Sequence, residues 1–234
     1  MIPSLFNNLT EQDKCQAIEK LVSSSAPRTD FFLMIILAIT MATFGLLLNS
    51  AAIIIGSMLI APMLYSILSL SMGIIMSDFN LISRSFYTTL KSIAFAIGAS
   101  ILITIFFSSG DFVPNAEIMA RTQPSLAYGA VAIIAGLAAS FAMVKPHLNE
   151  TLPGIAVSVA LVPPLATTGI GIALLDWNII SNSLVLFLIN VVGIIFASML
   201  IFSLMNFYVK RSLANEAMQK EEILIEQEKE QEQE

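Results

Sequence analysis

The chain has 234 residues, of which 56% are hydrophobic and 12% charged, and its mean hydropathy is +0.84. Globular domains carry about 25% charged residues, so this composition excludes an ordinary water-soluble fold. Much of the net charge of −6 lies in residues 216–234, and because no basic patch is present we expect no nucleic-acid partner. The single cysteine, Cys15, excludes an intrachain disulfide and a cysteine-based metal site.

Residues 1–30 are predicted to form a cytoplasmic segment with a short amphipathic helix over 9–22. Thr10 and Asp13 have the spacing of a capping pair, and apolar residues recur on one side of this helix. The segment lacks the small-residue cleavage site of a secretory signal, so we expect no cleaved leader. At the other end, residues 209–234 are predicted to be an acidic cytoplasmic tail, either a solvated helix or disordered.

Five uncharged apolar stretches predict the membrane part. They cover residues 31–77, 92–110, 125–144, 152–175 and 179–209. A membrane-spanning helix needs about 20 apolar residues, so the first stretch holds two helices and the total is six. The alternation typical of barrel strands is missing. The sequence therefore predicts an all-α integral membrane domain over 31–208, with spans TM1 to TM6 at about 31–48, 52–76, 84–108, 126–144, 152–175 and 179–208.

Basic residues set the predicted orientation, because short cytoplasmic loops are rich in Lys and Arg. With the amino terminus inside, the outer loops carry only Arg121. The inner segments carry Lys14, Lys20, Arg28, Arg84, Lys91, Lys145, Lys210 and Arg211. We therefore expect a multi-pass protein of the cytoplasmic membrane with both termini in the cytoplasm.

One motif occurs twice and divides this domain into two halves. Residues 78–83, Asp-Phe-Asn-Leu-Ile-Ser, return at 176–181 as Asp-Trp-Asn-Ile-Ile-Ser. Asp78 and Asp176 are each predicted to cap the helix that follows. The halves, 31–108 and 126–208, hold three spans each, so the second must enter the membrane from the opposite side. Two inverted three-helix repeats are typical of secondary transporters.

Prolines interrupt the second span of each half. Pro62 in TM2 and the pair Pro163-Pro164 in TM5 each remove backbone donors and clash with the preceding turn. Pro164 is also expected to push Pro163 out of the α region. Carbonyl groups freed in this way must find a donor, a water or a cation, and transporters bind their substrates at such breaks. The candidate substrate-binding residues are Ser57, Pro62, Ser158, Pro163, Pro164 and Asn190.

Structural alternatives remain open for these residues. The prolines could be kinks relieved by neighbouring hydroxyl groups, and Asn190 could be an interhelical hydrogen-bonding residue. In TM4, Ala132, Gly136 and Ser140 follow a four-residue spacing that predicts either a packing face or a homo-oligomer interface.

Several functional classes lack their usual residues here. No charged residue or histidine lies deep in a predicted span, which disfavours a proton-coupled carrier. No hydrolase triad, zinc pair, phosphate loop or dinucleotide fingerprint is present. We therefore expect no enzymatic activity, no cofactor and no bound metal.

Three segments make the sequence recognisable: residues 56–62 ending in Pro62, the run from Leu152 to Leu165 that holds both prolines, and Asp176-Trp177. With Asn49-Ser50 they resemble the family called "domain of unknown function 389", hydrophobic membrane proteins of bacteria and archaea. The resemblance covers about residues 31–208 and implies a location in the cytoplasmic membrane, but no established substrate. Some relatives carry a soluble domain before the membrane part, which the 30 residues here are too few to form.

Two functions follow from these observations. The leading hypothesis is a transporter or channel for a small solute or ion, with its site between TM2 and TM5 and the lipid bilayer as its surroundings. The alternative is a non-transporting scaffold or sensor that acts through its cytoplasmic tail. The duplicated broken helices favour the first function, and the acidic tail favours the second.

Overall fold

The computed structural model describes residues 10–108, 113–145, 148, 161–207 and 211–231, and all regular structure in these ranges is helical. The helices are α1 Glu11–Ser24, α2 Thr29–Leu47, α3 Ala51–Ile60, α4 Met63–Met76, α5 Phe79–Phe107, α6 Ala116–Ala120, α7 Leu126–Val144, α8 Val162–Ala173, α9 Trp177–Leu204 and α10 Arg211–Gln231.

Within the described ranges, four helices are long and apolar enough to cross a bilayer: α2, α5, α7 and α9. The pair α3 and α4 makes a fifth candidate span, bent by 50°. Large apolar side chains such as Leu37, Phe106 and Phe196 are exposed on the outside of the bundle, where lipid would surround them. The prediction of an all-α integral membrane protein is confirmed at this level.

The second helix of each half packs between the two longest helices. α4 contacts both α5 and α9, and α8 contacts the same two helices. The first helix of each half lies alongside the long helix of its own half, α2 on α5 and α7 on α9. Phe32 packs on Phe95, and Phe44 packs on Phe107, so α2 and α5 run parallel. The four helices α4, α5, α8 and α9 therefore form the centre of the bundle.

The small residues predicted on TM4 face α9 within the same chain. A Cβ added at Gly136 would lie 2.9 Å from Ala197 Cβ, and one added at Gly193 would lie 2.9 Å from Ala132 Cβ. Ser140 is fully buried on the same side. The structure thus uses this face for internal packing, and a homo-oligomer through α7 would need its outer face, where Val131 and Ile134 are exposed.

The terminal helices pack against each other at one end of the bundle. In α1, Thr10 and Asp13 form the predicted capping box. Of the two alternatives predicted for the tail, the structure shows the helix, and this helix, α10, is not solvated on every side because it contacts α1 and α5. Its buried residues are Ala214, Ala217, Met218 and Glu221. Their helical spacing gives α10 an apolar face that α1 covers.

Candidate functional site

The break in the first half lies at Ala61 and Pro62. Ala61 is extended, with φ −73° and ψ 122°, and Pro62 precedes the first turn of α4. Proline disfavours the α conformation of the residue before it, which ends α3 at Ile60. The interruption predicted for TM2 is therefore located at these two residues.

The prolines of the second half lie in the first turn of a helix. α8 begins at Val162, and Pro163 and Pro164 occupy its first turn. The expectation that Pro164 would move Pro163 out of the α region is therefore wrong. Backbone N–H groups in a first turn have no partner in the helix, so prolines are tolerated there. Ser158 and the rest of residues 149–160, which would precede α8, lie outside the described residues.

The same turn follows α4 and α8. Ser77 and Leu175 adopt left-handed conformations, with φ 51° and 56°. Asp78 Oδ1 then accepts from the backbone N–H groups of Asn80 and Leu81 at 3.0 and 3.1 Å. Asp176 Oδ1 makes the matching bonds to the second and third residues after it, at 2.9 and 3.2 Å. Both predicted caps are confirmed.

Glycines in α4 and α8 let the long helix that follows each of them pack closely against it. A Cβ at Gly73 would lie 3.0 Å from the backbone nitrogen of Ile82, and a Cβ at Gly171 would lie 3.0 Å from that of Ile180. A larger residue at either glycine would force the two helices apart. The two helical hairpins, α4–α5 and α8–α9, therefore match in cap, in turn and in close approach.

Hydroxyl groups connect the four central helices. Ser85 in α5 donates to Ser69 in α4 at 2.9 Å. In the second half, the hydroxyls of Thr168 and Ser183 share a hydrogen bond of 2.8 Å between α8 and α9. The two halves are joined by Ser100 Oγ in α5, which donates to the Ala166 carbonyl of α8 at 2.7 Å. All of these side chains are buried.

Most of the other buried hydroxyls donate their hydrogen to their own helix. The donors include Ser66, Ser71, Thr89, Ser92 and Thr104. A hydroxyl has one hydrogen but two lone pairs, so these groups keep acceptor capacity after that bond is made. α4, α8 and α9 contain no charged residue. The centre of the bundle therefore holds buried hydroxyls with remaining acceptor capacity inside an otherwise apolar core.

Two buried hydroxyls have no hydrogen-bond partner in the part of the chain described above. These are Thr167 Oγ1 in α8 and Ser198 Oγ in α9. Nearly all buried polar groups in proteins are paired, so each of these oxygens can take a partner from outside the described residues.

The structure places the predicted site residues at different depths. Ser57 is buried and donates to the Ile54 carbonyl at 2.6 Å. Pro163 and Pro164 are buried as well, and Asn190 is only 3% exposed. Pro62 instead lines a cavity of about 270 Å³ on the side of α1 and α2, which Arg28 also lines. α8 contacts α3, the helix of Ser57.

Sequence reasoning considered Thr167 only as a hydroxyl that could relieve the proline kink, and it missed Ser198, Ser100 and Ser183. A signal was present in α5, where Ser85, Thr89, Ser92, Ser100 and Thr104 recur at helical spacing inside an apolar stretch. Such a polar stripe marks one face of a membrane helix as buried in protein.

Comparison with known proteins agrees with the resemblance in the sequence. A family model described as "Domain of unknown function (DUF389)" matches residues 58–196. An uncharacterised protein of Methanocaldococcus jannaschii is 31% identical over 177 residues, which cover 73% of this chain and 52% of the relative. The chain thus spans about half the length of that relative. No solved structure matches it significantly. With more than half of its residues matched, the chain belongs to the DUF389 family of proteins of unknown function.

Proposed function

We propose that this integral membrane protein is a transporter or channel for a small solute or ion, with its pathway between the hairpins α4–α5 and α8–α9. The observation that carries the proposal is the matched pair of short helices, α4 and α8. Each begins inside an apolar region, ends in the same capped turn and contacts both long helices. Transporters with duplicated halves bind their substrates where such discontinuous helices meet.

The contact pattern supports an inverted repeat of three spans per half. α4 contacts α5, the long helix of its own half, and α9, the long helix of the other half. α8 likewise contacts α9 of its own half and α5 of the other, so the two contact patterns are exchanged. A pseudo-twofold axis between the halves would produce this exchange. In this proposal α8 is the second part of TM5, which brings the number of spans to six.

The chemistry of the interior favours a cation or a neutral solute with hydrogen-bond donors. The buried hydroxyls offer lone pairs, and Pro163 and Pro164 remove two backbone donors from the start of α8. Thr167 and Ser198 would contact the solute at two separate points of the pathway, because their oxygens are buried and unpaired among the described residues. We expect no catalytic activity, since a hydroxyl nucleophile needs an adjacent base and α4, α8 and α9 carry no acidic or basic residue.

Topology is the first test of the proposal. Phe79 and Trp177 hold equivalent places in the two turns, and both are 75% exposed. In a Cys15→Ser background, Phe79→Cys should react with a membrane-impermeant thiol reagent only from the cytoplasm of intact cells. Trp177→Cys should react only from outside. Labelling of both positions from the same side would contradict the inverted repeat and the cytoplasmic placement of both termini.

Flux through reconstituted liposomes tests the activity. The parent protein is screened with monovalent and divalent cations and with small neutral solutes. Thr167→Val and Ser198→Ala should each lower flux about tenfold or more, the size of one lost hydrogen bond to a charged group. Ser140→Ala is the matched control, because this buried hydroxyl of α7 donates to the Gly136 carbonyl. Unchanged flux in both variants, or no flux by the parent, would contradict the proposal.

The scaffold alternative receives less support. One face of α10 is buried against α1, and Glu221 on that face pairs with Arg28 at 3.0 Å. That part of the tail is therefore not free to bind a partner.

A further inference from the structure

A polar groove lies between the first turns of α5 and the helix α10. Its volume of about 770 Å³ is within the range of small-molecule pockets. Its polar lining consists of Asn80, Ser83 and Arg84 from α5 and Asn215, Gln219 and Glu222 from α10. The groove is separate from the hydroxyl groups at the centre of the bundle, and nothing in the proposed transport function accounts for it.

The guanidinium of Arg84 lacks a partner in this groove. Both terminal nitrogens are buried, and neither has a hydrogen-bond partner among the described residues. Glu222 and Glu221 act on Arg84 electrostatically. Glu221, however, is already paired with Arg28 at 3.0 Å. Buried charges in proteins are normally paired and hydrogen-bonded, so the Arg84 guanidinium is able to take a further partner in this groove.

The lining matches a phosphate group that is linked to an amine. A guanidinium is a planar fork of donors that fits two phosphate oxygens, and the amides of Asn80, Asn215 and Gln219 can donate to the others. Glu222 in the same groove provides one negative charge. A purely anionic ligand would be repelled by this carboxylate, whereas a zwitterion would satisfy both charges.

The surroundings of the groove point to lipid as the source of this group. Phe79 and Tyr87 also line the groove and are 75% and 60% exposed, and Phe86 beside them is exposed as well. Exposed aromatic residues near the end of a spanning helix are typical of the membrane–water interface, where phospholipid headgroups lie. α5 is one of the candidate membrane spans, and Phe79, Phe86 and Tyr87 lie in its first three turns.

We propose that the groove between α5 and α10 binds the phosphoethanolamine headgroup of a membrane phospholipid, with Arg84 on the phosphate and Glu222 on the amine. The bound lipid would hold the tail helix against the bundle, because residues of both helices contact the same headgroup.

Lipid titration of the full chain in an uncharged detergent tests this site, with the midpoint of thermal unfolding as the readout. Phosphatidylethanolamine should raise the midpoint in a saturable way, and phosphatidylglycerol, which lacks the amine, should do so less. Diacylglycerol, which lacks the phosphate, should have no effect. Soluble phosphoethanolamine should raise the unfolding midpoint only weakly, because it lacks the acyl chains of the lipid.

Variants assign the two contacts. Arg84→Gln should weaken the response to phosphatidylethanolamine about tenfold or more, as expected for a lost bond to a charged group. Glu222→Gln should remove the preference for phosphatidylethanolamine over phosphatidylglycerol. Lys220→Gln is the matched control, since Lys220 is exposed on α10 and pairs with Glu19 outside the groove. It should respond like the parent.

Three results would overturn the proposal. An unchanged response of Arg84→Gln, checked by lipid counting in native mass spectrometry, would exclude the phosphate contact. Equal effects of diacylglycerol and phosphatidylethanolamine would show acyl-chain binding alone. A response to soluble phosphoethanolamine without one to the lipid would exclude a lipid source.

Discussion

Replacing Gly169 with alanine would test the contact between α5 and α8, which joins the two halves. An added Cβ would overlap Ser100 Cβ and lie 2.6 Å from Ser100 Oγ and 3.0 Å from the carbonyl oxygen of Ile97. Ser100 Oγ also makes the hydrogen bond to Ala166 at 2.7 Å. Gly169→Ala should therefore move α8 away from α5 and break this bond.

Three contributions determine the size of the effect. Overpacking a well-packed interior costs about 1–3 kcal/mol. The lost hydrogen bond costs about 1 kcal/mol, and alanine regains about 1 kcal/mol as the better helix former. We therefore expect the free energy of unfolding to fall by about 1–3 kcal/mol.

Denaturant titration in mixed micelles measures this change, and a second substitution locates its cause. Ser100→Gly combined with Gly169→Ala removes the two closest contacts and should recover most of the loss. Ser100→Ala combined with Gly169→Ala keeps the serine Cβ and should not. Gly98→Ala is the matched control on α5, because no atom lies within 4 Å of its added Cβ. It should gain about 1 kcal/mol.

Equal stability of Gly169→Ala and Gly98→Ala would contradict this prediction. That result would mean that α5 and α8 are not in contact at Ser100. Equal recovery by the glycine and the alanine partners would show that the hydroxyl, and not the Cβ, causes the clash.

The remaining predictions concern the caps, the prolines and α7. Asp78→Ala and Asp176→Ala should each lower the unfolding free energy by about 1 kcal/mol or more, with the larger loss at the fully buried Asp78, and no loss at either position would contradict the caps. Pro163→Ala with Pro164→Ala should change the unfolding free energy by less than about 1 kcal/mol, because first-turn N–H groups have no helical partner. A gain near the ~3 kcal/mol expected for an interior proline would place the prolines in the middle of a helix. Gly136→Leu should aggregate in detergent gel filtration because its Cβ would meet Ala197, and a smaller, stably folded species would instead indicate an oligomer interface.

The sequence was most informative where structure depends on near neighbours. An N-cap bonds to residues two and three positions ahead, so Asp78 and Asp176 could be identified from the motif alone. The start of TM3 was predicted too late, at Arg84. The uncharged stretch begins only at residue 92, whereas the helix begins directly after its cap, at Phe79, and contains Arg84 and Lys91.

The site was less predictable because it depends on distant neighbours. Pro163 and Pro164 can interrupt a helix, and they can equally occupy the first turn of a new one. The sequence could not distinguish these two arrangements. Ser198 is one of many hydroxyls, and its lack of a partner follows only from the packing of the bundle. The docking of α10 likewise depends on α1, which is almost the whole chain away.

The matched turns have a consequence for how the protein enters the membrane. In the first hairpin the Asp78 N–H donates to the Gly73 carbonyl at 3.0 Å, and in the second the Asp176 N–H donates to Gly171 at 2.9 Å. Together with the aspartate caps, these bonds join polar groups of each turn within its own hairpin. Unsatisfied backbone groups are very costly in lipid. We therefore expect α4–α5 and α8–α9 to leave the translocation machinery as preformed hairpins, each inserted in one step.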